Sequence, residues 1–262
     1  SMSILKKIIA DKQRELTARK SLIPLKQLER SVLFERPKNS LKARLSNSVS
    51  GIIAEHKRRS PSRAVINQSL NVQEVAEGYE KAGACGISVL TDQKYFGGSI
   101  EDLLSARASC NLPLLRKEFI IDPYQITEAK AYGADVILLI AAVLSREDIK
   151  NLSVWAQQLE MEVLLEVHNK AELVKAMMPS LDMIGVNNRN LKTFEVDLQH
   201  SRELSALIPD EFVKVSESGI GNVQAVKGLQ PYGYRGFLIG ENFMKTNDPG
   251  LSASEFIKKL KQ

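Results

Sequence analysis

The sequence predicts a single closed (β/α)8 barrel, an α/β fold, with an N-terminal helical extension over residues 1–50 and the barrel over residues 51–262. Three observations carry that prediction. From Gly51 onward, eight short β-branched or apolar runs alternate with longer stretches of helical period, the rhythm of a parallel α/β chain. Glycines recur where a helix should stop ahead of a strand, namely Gly83 in KAGACG, Gly133 in AYGAD and Gly233 in PYGYRG, as left-handed helix caps require. No linker rich in Pro, Gly or Ser separates the eight units, and 262 residues is a length that α/β barrels reach as one domain. An open doubly wound sheet fits less well, because no glycine-rich dinucleotide loop follows the first strand.

In the extension, ILKKIIADKQREL and SLKARL have helical period and are separated by Pro24 and Pro37. They read as helices packed on the barrel, with their Lys and Arg on a solvated face. Ser1 ahead of Met2 reads as a residue left by expression cloning. The expected strands are GIIAE (51–55), GISVLT (86–91), PLLRK (113–117), DVILLI (135–140), EVLLEV (162–167), MIGVN (183–187), FVKVS (212–216) and GFLIG (236–240).

Composition narrows the function. A hydrophobic fraction of 44% with 26% charged residues belongs to a globular chain, not a disordered one. No apolar run approaches the roughly 18 residues that cross a bilayer, and the first residues lack a small-residue cleavage site, so a cytoplasmic location without membrane contact is expected. Cys85 and Cys110 are too few for a disulfide framework and read as buried thiols. His56, His168 and His200 form no close-spaced ligand set, so no metal is expected. The formal charge of +5 suits an anionic partner. Because the basic residues have no interleaved aromatics, a phosphorylated small molecule is preferred to nucleic acid.

Barrel enzymes carry their sites at the C-terminal ends of the strands. There the sequence places Glu55 and Lys57, then Thr91 and Asp92, Lys117 and Glu118, Glu166 and His168, Asn187 and Arg189, and finally Glu217 and Ser218. Residues two apart share a strand face, so Glu55 and Lys57 go with Ile53, Lys117 with Leu115 and Glu166 with Leu164. If those faces point inward, acids and bases meet at the barrel mouth. Buried charges are tolerated only as a mutual network; the plainer alternative is a set of ion pairs that merely closes the barrel end. The glycine-rich ends SESGIGN (216–222) and IGENF (239–243) suit a phosphate, which backbone N–H groups can approach closely. RRSPSR (58–63), placed directly after the first strand, reads as a loop whose Ser60 helps hold the same phosphate.

Six motifs, IIAEHKRRSPS (52–62), SVLTDQKYFGGS (88–99), LPLLRKEFIID (112–122), LLEVHN (164–169), IGVNNRNLKTFEVDL (184–198) and VSESGI (215–220), together resemble the indole-3-glycerol-phosphate synthase family of tryptophan biosynthesis, in order and over nearly the whole chain. The resemblance implies a cofactor-free carboxy-lyase that closes an indole ring with loss of carbon dioxide and water. It places the general acid on Lys117, the second lysine on Lys57 and a further acid-base group on Glu166. Glu55 and Glu217 fall on carboxylates that position the lysines and the substrate. Asn187 and Arg189 fall on the polar pair over the aromatic and sugar parts, Ser218 on a substrate contact, and Phe96 and Phe119 on the wall of the aromatic ring. Ser60, Gly219, Gly240 and Glu241 fall at the phosphate end. A monomer is expected.

Three positions depart from the family pattern: His56 where an apolar residue is usual, Ala64 for glycine, and Asn190 for aspartate beside Arg189. His56, on the face opposite Glu55, is expected to pack against the helices. Two other readings make different demands. A phosphoribosylanthranilate isomerase would need a catalytic cysteine or aspartate pair at early and middle strand ends, where neither cysteine stands. A nucleic-acid-binding module using the basic N-terminal region would bind with strong salt dependence.

Overall fold

The computed structural model describes residues 3–262; Ser1, set aside above, and Met2 lie outside the described residues. Three helices come first, α1 (Ile4–Leu22), α2 (Leu25–Glu29) and α3 (Leu41–Ser46). Strands and helices then alternate: β1 (Ile52–His56), α4 (Val72–Ala82), β2 (Gly86–Leu90), α5 (Ile100–Ser109), β3 (Leu114–Lys117), α6 (Pro123–Ala131), β4 (Val136–Ile140) and α7 (Arg146–Gln158). The second half continues with β5 (Glu162–Val167), α8 (Lys170–Ala176), β6 (Met183–Asn187), α9 (Gln199–Ser205), β7 (Val213–Glu217), α10 (Val223–Leu229), β8 (Tyr234–Ile239), α11 (Glu241–Met244) and α12 (Pro249–Leu260). All eight strands pair in parallel with their sequence neighbours, and β8 closes on β1 through Ile53 opposite Leu238. No described helix is long and apolar enough to cross a membrane.

Every expected strand is present; only β5 and β6 keep both expected ends, and the others are shifted by one or two residues at one end or both. β1 runs on to His56, which pairs with Val89; β7 runs on to Glu217, held between Asn187 and Leu238. β8 begins at Tyr234, two residues early, because a bulge at Lys214/Val215 lets it pair with Lys214. Gly83, Gly133 and Gly233 take positive φ of 89°, 100° and 93°, as the helix-stop reading requires. Helices α4 to α8, α10 and α12 start on side-chain caps, and Ser99, Asp122 and Ser145 each complete a reciprocal capping box.

Strand alternation divides the core into two shells. Ile53, Leu115, Leu138, Leu164, Met183, Val215 and Leu238 fill the barrel interior. Ile52, Ala54, Val89, Leu139, Leu165, Val186 and Ile239 face the helices. Burial on both faces explains why the strands read as near-continuous apolar runs. His56 belongs to the outer side as expected: it is 2% exposed, and burial with the nearby Arg58 charge pushes its imidazole down to about 4.

The extension corrects one expectation, that its Lys and Arg face solvent. Lys12 is only 3% exposed, and its Nζ lies 2.8 Å from Asp92 Oδ1 and 2.7 Å from Glu118 Oε1. Arg19 Nε donates to Glu128 at 2.7 Å, and Arg36 Nη2 lies 3.0 Å from Asp135 Oδ1. The physical reason is that the barrel's outer layer carries buried carboxylates, each of which needs a cation once removed from water. Asp92 and Glu118, which stand at strand ends, are thereby engaged by α1, although Glu118 also borders the cavity at the mouth. Replacing Lys12 with methionine leaves both carboxylates without their cation, so we expect a loss of about 3 kcal/mol in urea unfolding, the scale for breaking a buried pair. An unchanged midpoint would show that α1 is only loosely seated.

Candidate active site

The inward faces of β1, β3, β5, β6 and β7 each end in a polar side chain, and these meet in one place. Glu55 is 2% exposed, and its Oε2 accepts hydrogen bonds from Ser88 Oγ at 2.7 Å and from Lys117 Nζ at 3.0 Å. Its Oε1 lies 3.6 Å from Lys57 Nζ. Lys117 Nζ is also 3.8 Å from Glu217 Oε1. Across the mouth, Asn187 Oδ1 accepts from Ser218 Oγ and from the Arg189 backbone N–H, both at 2.9 Å. The parity argument from sequence therefore places these groups on the correct face.

Above them lies a cavity of about 390 Å³. It is lined by Glu55, Lys57, Ser60, Phe96, Lys117, Phe119, Glu166, Asn187, Arg189, Ser218, Gly219, Gly240 and Glu241. Glu217 is the exception among the residues to which the family resemblance gives a role: it lies beneath the lining, 1% exposed, with both carboxylate oxygens lacking a hydrogen-bond partner. Phe96 and Phe119 stand with ring centroids 6.0 Å apart, forming an apolar flank over the charged floor.

The electrostatics follow from a shortage of cations. Three carboxylates, Glu55, Glu166 and Glu217, surround Lys117, and only Glu55 is in hydrogen-bond contact with it. Burial alone would raise Glu55, but the charges of Lys117 and Lys57 outweigh that and hold it below its usual range. Burial lowers Lys117 less than Glu55, Glu217 and Glu166 raise it, so the ammonium is firmly charged at neutral pH. Glu217 is left over. Burial and the neighbouring Glu166 push it up from 4.5 to about 8 despite Lys117, so it holds a proton near neutrality.

At the other end of the cavity, Ser218 and Gly219 both take left-handed backbone, with φ of 72° and 78°. A Cβ on Gly219 would stand 2.2 Å from Val196 Cγ1, so only glycine fits beneath the 190–198 loop. Gly240 is crowded too: a Cβ there would meet Glu55 Oε1 at 2.9 Å. Arg63 Nη1 donates to Glu241 Oε1 at 2.6 Å. An anion in this corner is repelled by the Glu241 carboxylate and attracted by Arg63 and by backbone N–H groups.

Several lining residues escaped the sequence reading. Leu138, Ile140 and Leu238 lie on inward faces of β4 and β8, and strand parity alone could have found them. Arg63 stood within RRSPSR and Lys245 just past IGENF, but nothing in either stretch separated them from ordinary surface cations. Ile4, Leu5 and Ile8 reach the cavity from α1, and Phe194 from the loop after β6; no local pattern signals either approach. Asn190, one of the departures, serves as a turn residue: its Oδ1 accepts from the Lys192 and Thr193 backbone N–H groups at 2.8 and 3.0 Å. Arg189 is steadied instead by the Phe194 carbonyl, at 2.9 Å from Nη1. Among the described residues, no three His, Cys, Asp or Glu side chains are grouped to hold a metal ion.

The same arrangement can be compared with known proteins. The family model described as indole-3-glycerol phosphate synthase matches residues 5–256. Similar relatives include an indole-3-glycerol phosphate synthase of Bacteroides thetaiotaomicron, 46% identical over 257 residues that cover 98% of each chain. One of Polaromonas naphthalenivorans is 44% identical over 256 residues, covering 96% of this chain and 97% of that one. Among solved structures, a thiamine phosphate pyrophosphorylase from Pyrococcus furiosus superposes with a TM-score of 0.60 at 16% identity, covering 85% of this chain and 98% of that one. That likeness concerns the barrel alone. The match to the family model and the identity with its curated members, over nearly the full length in each case, establish that this chain belongs to the indole-3-glycerol phosphate synthase family.

Proposed function

We propose that this barrel mouth performs the ring closure of tryptophan biosynthesis, converting 1-(2-carboxyphenylamino)-1-deoxyribulose 5-phosphate to indole-3-glycerol phosphate, carbon dioxide and water. The observation that carries the reading is Lys117: a half-buried, firmly protonated ammonium that lines the cavity and leans on Glu55. A new bond joins the aromatic carbon bearing the carboxylate to the ketone carbon, and the ketone oxygen takes a proton. Loss of carbon dioxide then restores the aromatic ring. Departure of the hydroxyl with a second proton, and removal of a proton from the adjacent carbon, complete the indole.

Lys117 supplies the proton to the ketone oxygen while its charge stabilises the alkoxide, a contribution of about 10²- to 10⁴-fold. Lys57, the other ammonium on Glu55, serves the substrate carboxylate and the leaving hydroxyl. Glu166 exchanges a proton with the substrate, and Glu55 and Glu217 set the charge and position of Lys117. Asn187, Ser218 and Arg189 orient the aromatic and sugar parts, and Phe96 and Phe119 wall the ring. The phosphate is held by Ser60, Gly219 and Gly240 with Arg63, and Glu241 contributes through its backbone. Fixing both ends of a flexible chain brings the reacting carbons together, which matters as much as the acid. No electron is transferred, so the chemistry calls for no redox cofactor.

Residues 1–50 are assigned as a packed extension and 51–262 as the catalytic barrel. The chain is proposed to act as a monomer, and because basic residues of the extension face barrel carboxylates, a phosphorylated metabolite is preferred to nucleic acid as its partner. Saturable RNA binding at physiological salt in a gel shift would overturn that choice.

Purified protein, without added metal or nucleotide, is expected to turn over the carboxyphenylamino substrate, followed by indole fluorescence; a folded sample with no turnover would sink the reading. Lys117→Ala is expected to lower kcat at least about a hundredfold with the circular dichroism spectrum retained. Asn190→Asp should change the rate by less than about tenfold, because either side chain can accept the two backbone hydrogen bonds of the loop. Glu217 makes a separate stability prediction. Between 4.5 and about 8 the folded chain keeps a proton there that the unfolded chain has released, so this group costs increasing stability as pH rises through that window. The stability of Glu217→Gln relative to the parent should therefore grow from pH 5 to pH 8 in urea unfolding, and a flat difference would exclude the buried proton.

A further inference from the structure

Glu166 has a neighbour to which neither the motifs nor the mechanism gives a task. His168 lies two residues beyond it, past the end of β5, and its side chain is 8% exposed. Glu172, in the first turn of α8, fixes the imidazole twice: its Oε1 accepts the His168 backbone N–H at 2.9 Å and lies 3.2 Å from Nδ1. Glu172 is itself held by the cap of its own helix, where its backbone N–H donates to Asn169 Oδ1 at 2.8 Å. With Nδ1 engaged there, Nε2 lies 3.7 Å from Glu166 Oε2, buried and without a hydrogen-bond partner. His168 does not line the cavity, so it acts on substrate only through Glu166.

The charges around the ring are of one sign. Glu166 approaches from β5 and Glu172 from α8, while Glu217, on β7, keeps its proton near neutrality and adds no charge there. Burial disfavours the imidazolium, yet the hydrogen bond to Glu172 and the charges of Glu166 and Glu172 outweigh it and raise the ring above its ordinary value. The ammonium of Lys117, on β3, also acts on Glu166 through its charge. Glu166 thus feels two cations, Lys117, which lines the cavity, and His168, which does not.

We propose that His168, oriented by Glu172, is a positioning residue that steadies the carboxylate of Glu166 toward the substrate and keeps a positive charge against it during ring closure. The proposal rests on the role given to Glu166 above. No proton leaves His168 in this scheme: the imidazolium persists while a proton passes between substrate and Glu166. The arrangement follows the general logic of an acid-base group aimed by a second group, itself held by a third.

The test is the pH dependence of kcat and KM in His168→Gln and Glu172→Gln, with Glu166→Gln measured alongside and folding checked by circular dichroism. Glutamine at 168 keeps a hydrogen-bonding group but no charge. In His168→Gln, kcat is expected to fall about tenfold at pH 7 with KM within about twofold, and the acid limb of the kcat profile to move up by about one pH unit. Glu172→Gln, which loosens the ring without removing it, should move the limb the same way by less, and it carries the test if His168→Gln does not fold. An acid limb that stays in place in the folded variants overturns the proposal, even if activity falls, because a purely structural histidine would behave that way. Full activity in Glu166→Gln would remove the assignment of Glu166 and the proposal together. An inactive Glu166→Gln beside an unshifted limb in His168→Gln would remove only the role of His168.

Discussion

A lysine kept charged inside a barrel is the constraint on which the rest of this structure depends. Lys117 ends β3 on the inward face, where water is scarce, and an ammonium there is stable only beside carboxylates. Glu55 provides the contact, and Ser88 fixes Glu55 from the neighbouring strand. Two further carboxylates exceed what one lysine can neutralise, which is why Glu217 keeps a proton while Glu55 releases its own. The pattern of charge at the mouth is thus a distribution of protons among crowded groups, imposed by geometry before any substrate arrives.

The same shortage of counter-charge shapes the outside of the barrel. Arg116 ends up between Thr91 and Glu128, and Lys12 between Asp92 and Glu118, so adjacent positions on one strand end serve different purposes. Lys117 reaches Glu55 at the cavity floor, whereas the Arg116 guanidinium and the Glu118 carboxylate are taken up by Glu128, Thr91 and Lys12. Strand parity separates chemistry from docking within three consecutive residues.

Much of this was readable in the sequence because the barrel has a strict period. Eight apolar runs punctuated by glycine caps are enough for the topology, and alternation from Ile53, Leu115 and Leu164 is enough to aim Glu55, Lys117 and Glu166 inward. The strand ends at His56, Glu217 and Tyr234 were less legible, since they depend on pairing with neighbouring strands and on a bulge. What could not be read was contact between segments far apart in the chain. Nothing in ILKKIIADKQREL distinguishes the buried Lys12 from its exposed neighbours, because its partners lie in other units. The burial of Glu217 beneath the lining was equally hidden: it follows from the close fit against Gly185, where a Cβ would stand 2.5 Å from Oε2.

The seating of α1 has a consequence for how the chain acquires its working form. Ile4, Leu5 and Ile8 wall the cavity, and the anchor that seats their helix, Lys12, pairs with groups that follow β2 and β3. These contacts join distant parts of the sequence, so they form only after the intervening chain has been brought back on itself, at a cost in loop-closure entropy. During synthesis α1 therefore emerges well before its partners and waits, apolar side exposed, until the third strand has been made. A wall of the cavity is thus made long before it can be set in place.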